Sequence, residues 1–138
     1  MNESQAAIIF AILTGIVMIF QGCLALGLPW GKASMGGKYP GKYPPKMKVV
    51  AIINMVILGL FAAIVLSKSD LLFPQLKPIS NIGIWFVVAF MVIGTVLNTI
   101  TRSKIERIWA PVALFQLITS LIIAIGWCRN NQLSKHAQ

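Results

Sequence analysis

The sequence predicts an all-α integral membrane protein, a four-helix bundle with short connections in which sequence neighbours pack antiparallel. Two observations predict this fold. Of the 138 residues, 57% are hydrophobic and only 11% are charged, whereas a soluble globular domain has about 25% charged residues. The apolar residues also form four runs, each of a length that can cross a hydrocarbon core about 30 Å thick. We therefore expect residues 1–138 to form a single transmembrane domain.

The four predicted spans cover about residues 5–28, 49–66, 81–101 and 108–127. Pro29 closes the first span, and Pro111 lies in the first turn of the fourth, where its missing N–H costs little. The four tryptophans fall near span ends, as the aromatic belts of membrane proteins do: Trp30, Trp85, Trp109 and Trp127. The polar tail after the fourth span is expected to fray.

A basic loop, residues 29–48, separates the first two spans and has no acidic residue. Its lysines are Lys32, Lys38, Lys42, Lys46 and Lys48. Its glycines and prolines exclude a regular helix or a central strand. The tandem KYPGKYP, residues 38–44, predicts an extended segment along the lipid head groups, with Tyr39 and Tyr43 as interfacial anchors.

A second basic segment, residues 102–107, joins the last two spans and contains Arg102, Lys104 and Arg107. Together the two loops hold eight of the twelve basic residues. We expect the protein to lie in the cell (inner) membrane. Because lysine and arginine concentrate in cytoplasmic loops, both loops are expected on the cytoplasmic side and both termini on the outer side. The net charge of +9 beside membrane spans favours contact with anionic lipid head groups over contact with nucleic acid.

Beyond its first residue, each span contains one side-chain amide, and all four fall in the half of the membrane under the basic loops: Gln21, Asn54, Asn98 and Gln116. Thr95 and Thr99 add hydroxyl groups at this level. Because an amide facing lipid loses its hydrogen bonds, these side chains are expected to turn inward. They either form interhelical hydrogen bonds, worth about 0.6 kcal/mol each on average, or line a pocket open to the cytoplasm.

An uncharged hydrogen-bonding wall below a basic rim suits an amphiphile with an apolar tail and an anionic head group. The leading prediction is therefore a non-enzymatic protein that binds such a lipid-like ligand, or a membrane partner, from the cytoplasmic leaflet. The head-group contacts are predicted to come from Lys32, Lys38, Lys42, Lys46, Lys48, Arg102, Lys104 and Arg107. The alternative is a small oligomeric channel or uniporter for an uncharged or anionic solute. Two stripes of small residues are candidate homo-oligomer contacts: Ala7, Ala11 and Gly15, and Gly59 with Ala63.

Side chains for acid–base catalysis are sparse, so no catalytic, metal or cofactor site is predicted. His136 lies in the polar tail. Glu106 lies near the amides, and Arg102 precedes it by four residues, which predicts an ion pair if this segment is helical. Cys23 and Cys128 are expected near opposite membrane faces, too far apart for a disulfide.

Two motifs carry a resemblance to a known group of proteins. The runs GLPWGKASMGGKYPGKYPPKMK, followed by a span, and NTITRSKIERIWAPVALFQL resemble segments of small bacterial four-span membrane proteins of unassigned function. Together they cover about a third of the chain. The resemblance implies a four-span fold in a bacterial cytoplasmic membrane and implies no activity.

Overall fold

The structure, a computed structural model, describes residues 2–138, although the side chain of Trp127 is not described. Its long helices are α1 (Glu3–Ala25), α2 (Pro45–Lys68), α3 (Lys77–Ile100) and α4 (Trp109–His136). All four are long and apolar enough to cross a membrane. The predicted all-α, four-helix membrane fold is confirmed, and the protein is a multi-pass membrane protein.

Local sequence explains where the helices begin and end. The Asn2 side chain accepts a hydrogen bond from the Gln5 backbone N–H at 2.8 Å, and the Gln5 side chain accepts one from the Asn2 N–H, which forms a capping box before α1. Gly27, with φ of 97°, ends α1 in the left-handed conformation that glycine adopts without strain. Pro45 lies in the first turn of α2, a position that tolerates proline. The tail expected to fray instead continues α4 to His136, since it contains neither glycine nor proline.

The helices form a ring in which each packs beside its neighbours in sequence, and α1 closes on α4. Small residues bring α1 and α2 together: the Met18 side chain lies against Gly59, and Met55 lies against Gly22. Ala7 is buried in the core, whereas a Cβ added to Gly15 would have no described atom of another helix within 4 Å. The homo-oligomer contact stays a prediction.

The apolar core fills the half of the bundle nearest the chain termini. Phe10, Val65, Ile84, Val87 and Ile123 are fully buried there. At this end the Lys77 ammonium pairs with the Asp70 carboxylate at 2.8 Å. The half under the basic loops is filled less completely and contains the site described next.

Candidate ligand-binding cavity

A cavity of about 630 Å³ lies between the four helices, under the loops that join α1 to α2 and α3 to α4. Its volume is within the range of small-molecule sites. Most of its wall is apolar or aromatic, and the apolar lining residues are Val17, Phe20, Ala33, Met35, Leu58, Phe90, Met91, Leu97, Ile100, Trp109, Val112 and Ala113. The phenyl ring of Phe20 contacts the Trp109 indole with ring centres 4.7 Å apart.

All four membrane amides line this cavity: Gln21, Asn54, Asn98 and Gln116. The Gln116 amide donates to the Thr14 hydroxyl on α1 at 2.9 Å, and the Asn98 amide donates to the Gly94 carbonyl of its own helix at 2.8 Å. Across the described part of the chain, the carboxamides of Gln21 and Asn54 have no hydrogen-bond partner. An interhelical hydrogen bond therefore accounts for Gln116 alone, and two amides present unpaired polar groups to the cavity.

Thr95 and Thr99, which the sequence placed in the same polar layer, lie outside the cavity lining. Their hydroxyls donate to the carbonyls of Met91 and Thr95, one turn earlier in α3, at 2.7 Å in both cases. This local bond satisfies a hydroxyl within its own helix. The two threonines are consequently available as control positions on the same helix.

Of the eight basic residues predicted to contact head groups, Arg102 is the one that lines the cavity. The five lysines of residues 29–48 and Lys104 lie outside the lining, and all but the half-buried Lys48 are exposed. The predicted loop is too long at its end, because Lys46 and Lys48 belong to the first turn of α2, which begins at Pro45. Lys38 lies over the Tyr39 ring at 5.6 Å, and the Arg107 guanidinium donates to the Thr101 carbonyl at 3.3 Å. The basic residues outside the lining form a basic rim around the two loops that cover the cavity.

The two loops are hydrogen-bonded to each other and roof the cavity. The Glu106 carboxylate accepts from the Gly36 N–H at 2.8 Å and from the Thr101 hydroxyl. The Ser103 hydroxyl donates to the Lys32 carbonyl, and the Trp109 indole N–H donates to the Ala33 carbonyl at 3.1 Å. The long connection 26–44 is therefore fixed by the short turn 101–108.

The predicted ion pair between Arg102 and Glu106 is absent from the described contacts. Residues 101–105 are not helical, so side chains four positions apart do not face each other. Glu106 binds Gly36 and Thr101 instead. The Arg102 guanidinium makes no hydrogen bond or ion pair with any described residue, although it borders the cavity.

The basic loop is compact, contrary to the extended segment expected from its prolines. The Gly31 N–H donates to the Gly41 carbonyl at 2.9 Å, and a Cβ on Gly31 would overlap the Tyr39 carbonyl. Tyr43 is only 3% exposed and packs on Leu24 and Ala51, so it is no interfacial anchor.

Burial raises the pKa of the Tyr43 hydroxyl, and the negative charge of Glu106 acts in the same direction. The nearby Ser34 side chain opposes this pKa increase with a smaller effect than burial, although the Tyr43 hydroxyl makes no hydrogen bond within the described part of the chain. The phenol is therefore neutral in the folded loop, where it acts as an apolar packing group.

The cavity is open at one side. Phe90, Leu97 and Ile100 belong to its lining yet are 43%, 58% and 68% exposed on α3. Phe61 of α2 meets Phe90 edge-to-face with ring centres 4.9 Å apart. Gly94 lies between that contact and the loops, and a Cβ added to it would have no described atom of another element within 4 Å. The opening therefore follows the loop half of α3 where it faces α2.

Sequence reasoning missed Gly94, Trp109 and the backbone of residues 33–36 as parts of this site. Gly94 precedes Asn98 by one helical turn and shares its face, which is the one signal that could have found it. No protein-family model matches the chain, and neither does any curated protein or any solved structure. The resemblance to small bacterial four-span proteins stays a prediction.

Proposed function

We propose that the protein binds an anionic amphiphile in this cavity, with the head group beside Arg102 and the apolar tail among the helices, and that it catalyses no reaction. The observation that supports the proposal is the convergence of four membrane amides and an unpaired guanidinium on one cavity with apolar walls. A hydrophobic site with a few convergent polar groups is the usual form of a small-molecule site.

The charges under the roof favour an anionic head group. Glu106 contributes the one carboxylate of the lining, but one of its oxygens already accepts two hydrogen bonds. Arg102 has no hydrogen-bond or ion-pair partner among the described residues, and a guanidinium binds a phosphate or carboxylate through two parallel hydrogen bonds. The exposed lysines of the basic rim raise the local concentration of anionic lipids before one binds.

The proposal includes an orientation. With the basic loops in the cytoplasm and both termini outside, the head group lies at the cytoplasmic face of a bacterial inner membrane. The excess of lysine and arginine in these loops supports this orientation. The ligand would then come from the inner leaflet.

A channel through one chain is less well supported, because fully buried side chains such as Phe10, Ile84 and Ile123 close the bundle beyond the cavity. Conduction would need a path between copies of the chain. A membrane partner in place of a lipid would have to enter through the lateral opening beside α3.

Native mass spectrometry from a mild detergent, followed by lipid extraction, tests the proposal. We expect one anionic amphiphile on each wild-type chain and a large loss of occupancy in Arg102→Gln, because the substitution removes the charge facing the cavity. Lys42→Gln is the matched control, since Lys42 is exposed on the rim and outside the lining. A lipid-free wild type, or equal loss in both variants, would overturn the proposal.

A further inference from the structure

We infer that the ligand joins its anionic head to its tail through an acyl carbonyl, as an ester or an amide, and that it enters sideways between α2 and α3. This inference rests on the proposed function and specifies the ligand class. Its evidence is the position of two unpaired amides between the charged roof and the apolar floor of the cavity.

The polar groups of the cavity are stacked along the bundle axis. Arg102 lies just beyond the end of α3, at the roof. The Met55 side chain lies against Gly22 across α1 and α2, so the neighbouring residues Gln21 and Asn54 lie at about the same depth, further from the loops than Arg102. Leu58, one turn deeper than Asn54, and Met91 begin the apolar floor. A ligand fixed at Arg102 therefore passes both amides before its tail meets a purely apolar wall.

The hydrogen-bonding capacity of these amides distinguishes between anionic amphiphiles. Each carboxamide has two N–H donors, and neither Gln21 nor Asn54 uses them on a described protein group. A fatty acid or an alkyl phosphate would place bare methylene groups at this depth and leave the donors unpaired, which is unfavourable in an apolar cavity. An acyl carbonyl accepts from them. The site should therefore favour acyl over alkyl chains attached to the same head group.

The lateral opening explains how a chain reaches this position. Leu97 and Ile100 border the cavity and are also exposed on the outer surface of α3, so a tail can lie partly between the helices and partly in the surrounding lipid. The roof blocks direct entry along the axis, because Glu106 and Trp109 tie the two loops together. Gly94 leaves the space beside α3 unfilled.

The test compares three probes that compete with a fluorescent anionic lipid for the purified full-length protein. They are 1-palmitoyl-glycerol 3-phosphate, its 1-hexadecyl ether analogue, which lacks only the carbonyl, and hexadecyl phosphate. We expect the ether analogue to bind wild type about tenfold more weakly than the acyl compound, as the loss of hydrogen bonds from a buried site implies. In Gln21→Leu/Asn54→Leu the difference should fall to about twofold or less. Thr95→Val/Thr99→Val, on residues outside the lining, should keep it.

The outcomes separate this inference from the proposed function. Equal binding of the acyl and ether compounds to wild type would overturn the inference and leave an anionic-amphiphile site standing. Failure of all three probes to compete would overturn both. An undiminished preference for the acyl compound in the double leucine variant would show that Gln21 and Asn54 do not bind the acyl carbonyl. Retained binding of hexadecyl phosphate by that variant shows that it is folded.

Discussion

The Glu106 carboxylate accepts a hydrogen bond from the backbone N–H of Gly36 at 2.8 Å, across 70 positions of sequence. Gly36 has φ of 67°, a left-handed conformation that glycine adopts at little cost. The bond joins the α1–α2 loop to the α3–α4 turn directly above the cavity. It indicates that Glu106 is a structural residue of the roof.

Replacing Glu106 by alanine should loosen the roof while leaving the helices intact. The substitution leaves the Gly36 N–H and the Thr101 hydroxyl without their acceptor, so the free energy of local opening should fall by about 1–3 kcal/mol. Hydrogen exchange of residues 31–37 should become faster. Glu106→Gln, which keeps an acceptor oxygen, should have a smaller effect. Unchanged hydrogen exchange in Glu106→Ala would contradict the structural role of Glu106. We expect neither Glu106→Gln nor the distant control Glu3→Gln to lose binding of the anionic amphiphile.

Among the four membrane amides, Gln116 should be the one that stabilises the bundle, through its bond to Thr14. Both side chains are buried, and their polar atoms are 2.9 Å apart. Gln116→Leu and Thr14→Val should each lower the free energy of unfolding by about 1 kcal/mol, and the double variant should lose less than the sum. Unfolding in mixed micelles measures the cycle. Additive losses would show that the two side chains do not interact.

Gly31→Ala should disrupt the basic loop, because the new Cβ would overlap the Tyr39 carbonyl and lie 2.8 Å from the Gly41 carbonyl. The backbone must move, at a cost of about 1–3 kcal/mol. Trypsin should then cleave after the loop lysines several-fold faster than in wild type. Gly94→Ala is the control, since it adds a methyl group in open space. Equal cleavage of all three proteins would contradict the compact loop.

The proposed orientation predicts which cysteines an impermeant thiol reagent reaches in whole cells. In a Cys23→Ala background the exposed native Cys128 should be labelled, because it lies between Gly126 and Asn130, which both contact Glu3 at the start of α1. A cysteine at the exposed position Lys42 should be labelled only after the cells are lysed. Labelling of position 42 in intact cells would show that the orientation is the opposite of the one proposed.

The helices and the amide positions could be predicted from the sequence because they depend on local quantities. Span length, hydropathy and the 1.5 Å rise per residue place Gln21, Asn54, Asn98 and Gln116 at comparable depths. Whether a side chain at that depth faces the interior of the bundle depends on the rotation of its helix about the helix axis. That rotation is set by packing against the other helices. The sequence alone could therefore not separate Asn98, in the cavity wall, from Thr99, on the outer surface.

The roof could not be predicted, because its contacts join residues far apart in the chain. The pattern of glycine, proline and lysine in residues 29–48 excluded a long helix but contained no information about a partner. The fold of this loop depends on Glu106, Ser103 and Trp109. The same contacts explain why Glu106 is not paired with Arg102, which local spacing had favoured.

The central claim is that the cavity beside α3 holds an anionic amphiphile, and filling that cavity tests it most directly. Gly94→Phe places a phenyl ring in the open space of the site, and Gly15→Phe makes the same change in open space on α1, outside the lining. With lipid occupancy measured by native mass spectrometry, we predict one anionic amphiphile per chain in wild type and in Gly15→Phe, and almost none in Gly94→Phe. Equal occupancy in the two phenylalanine variants would contradict the account.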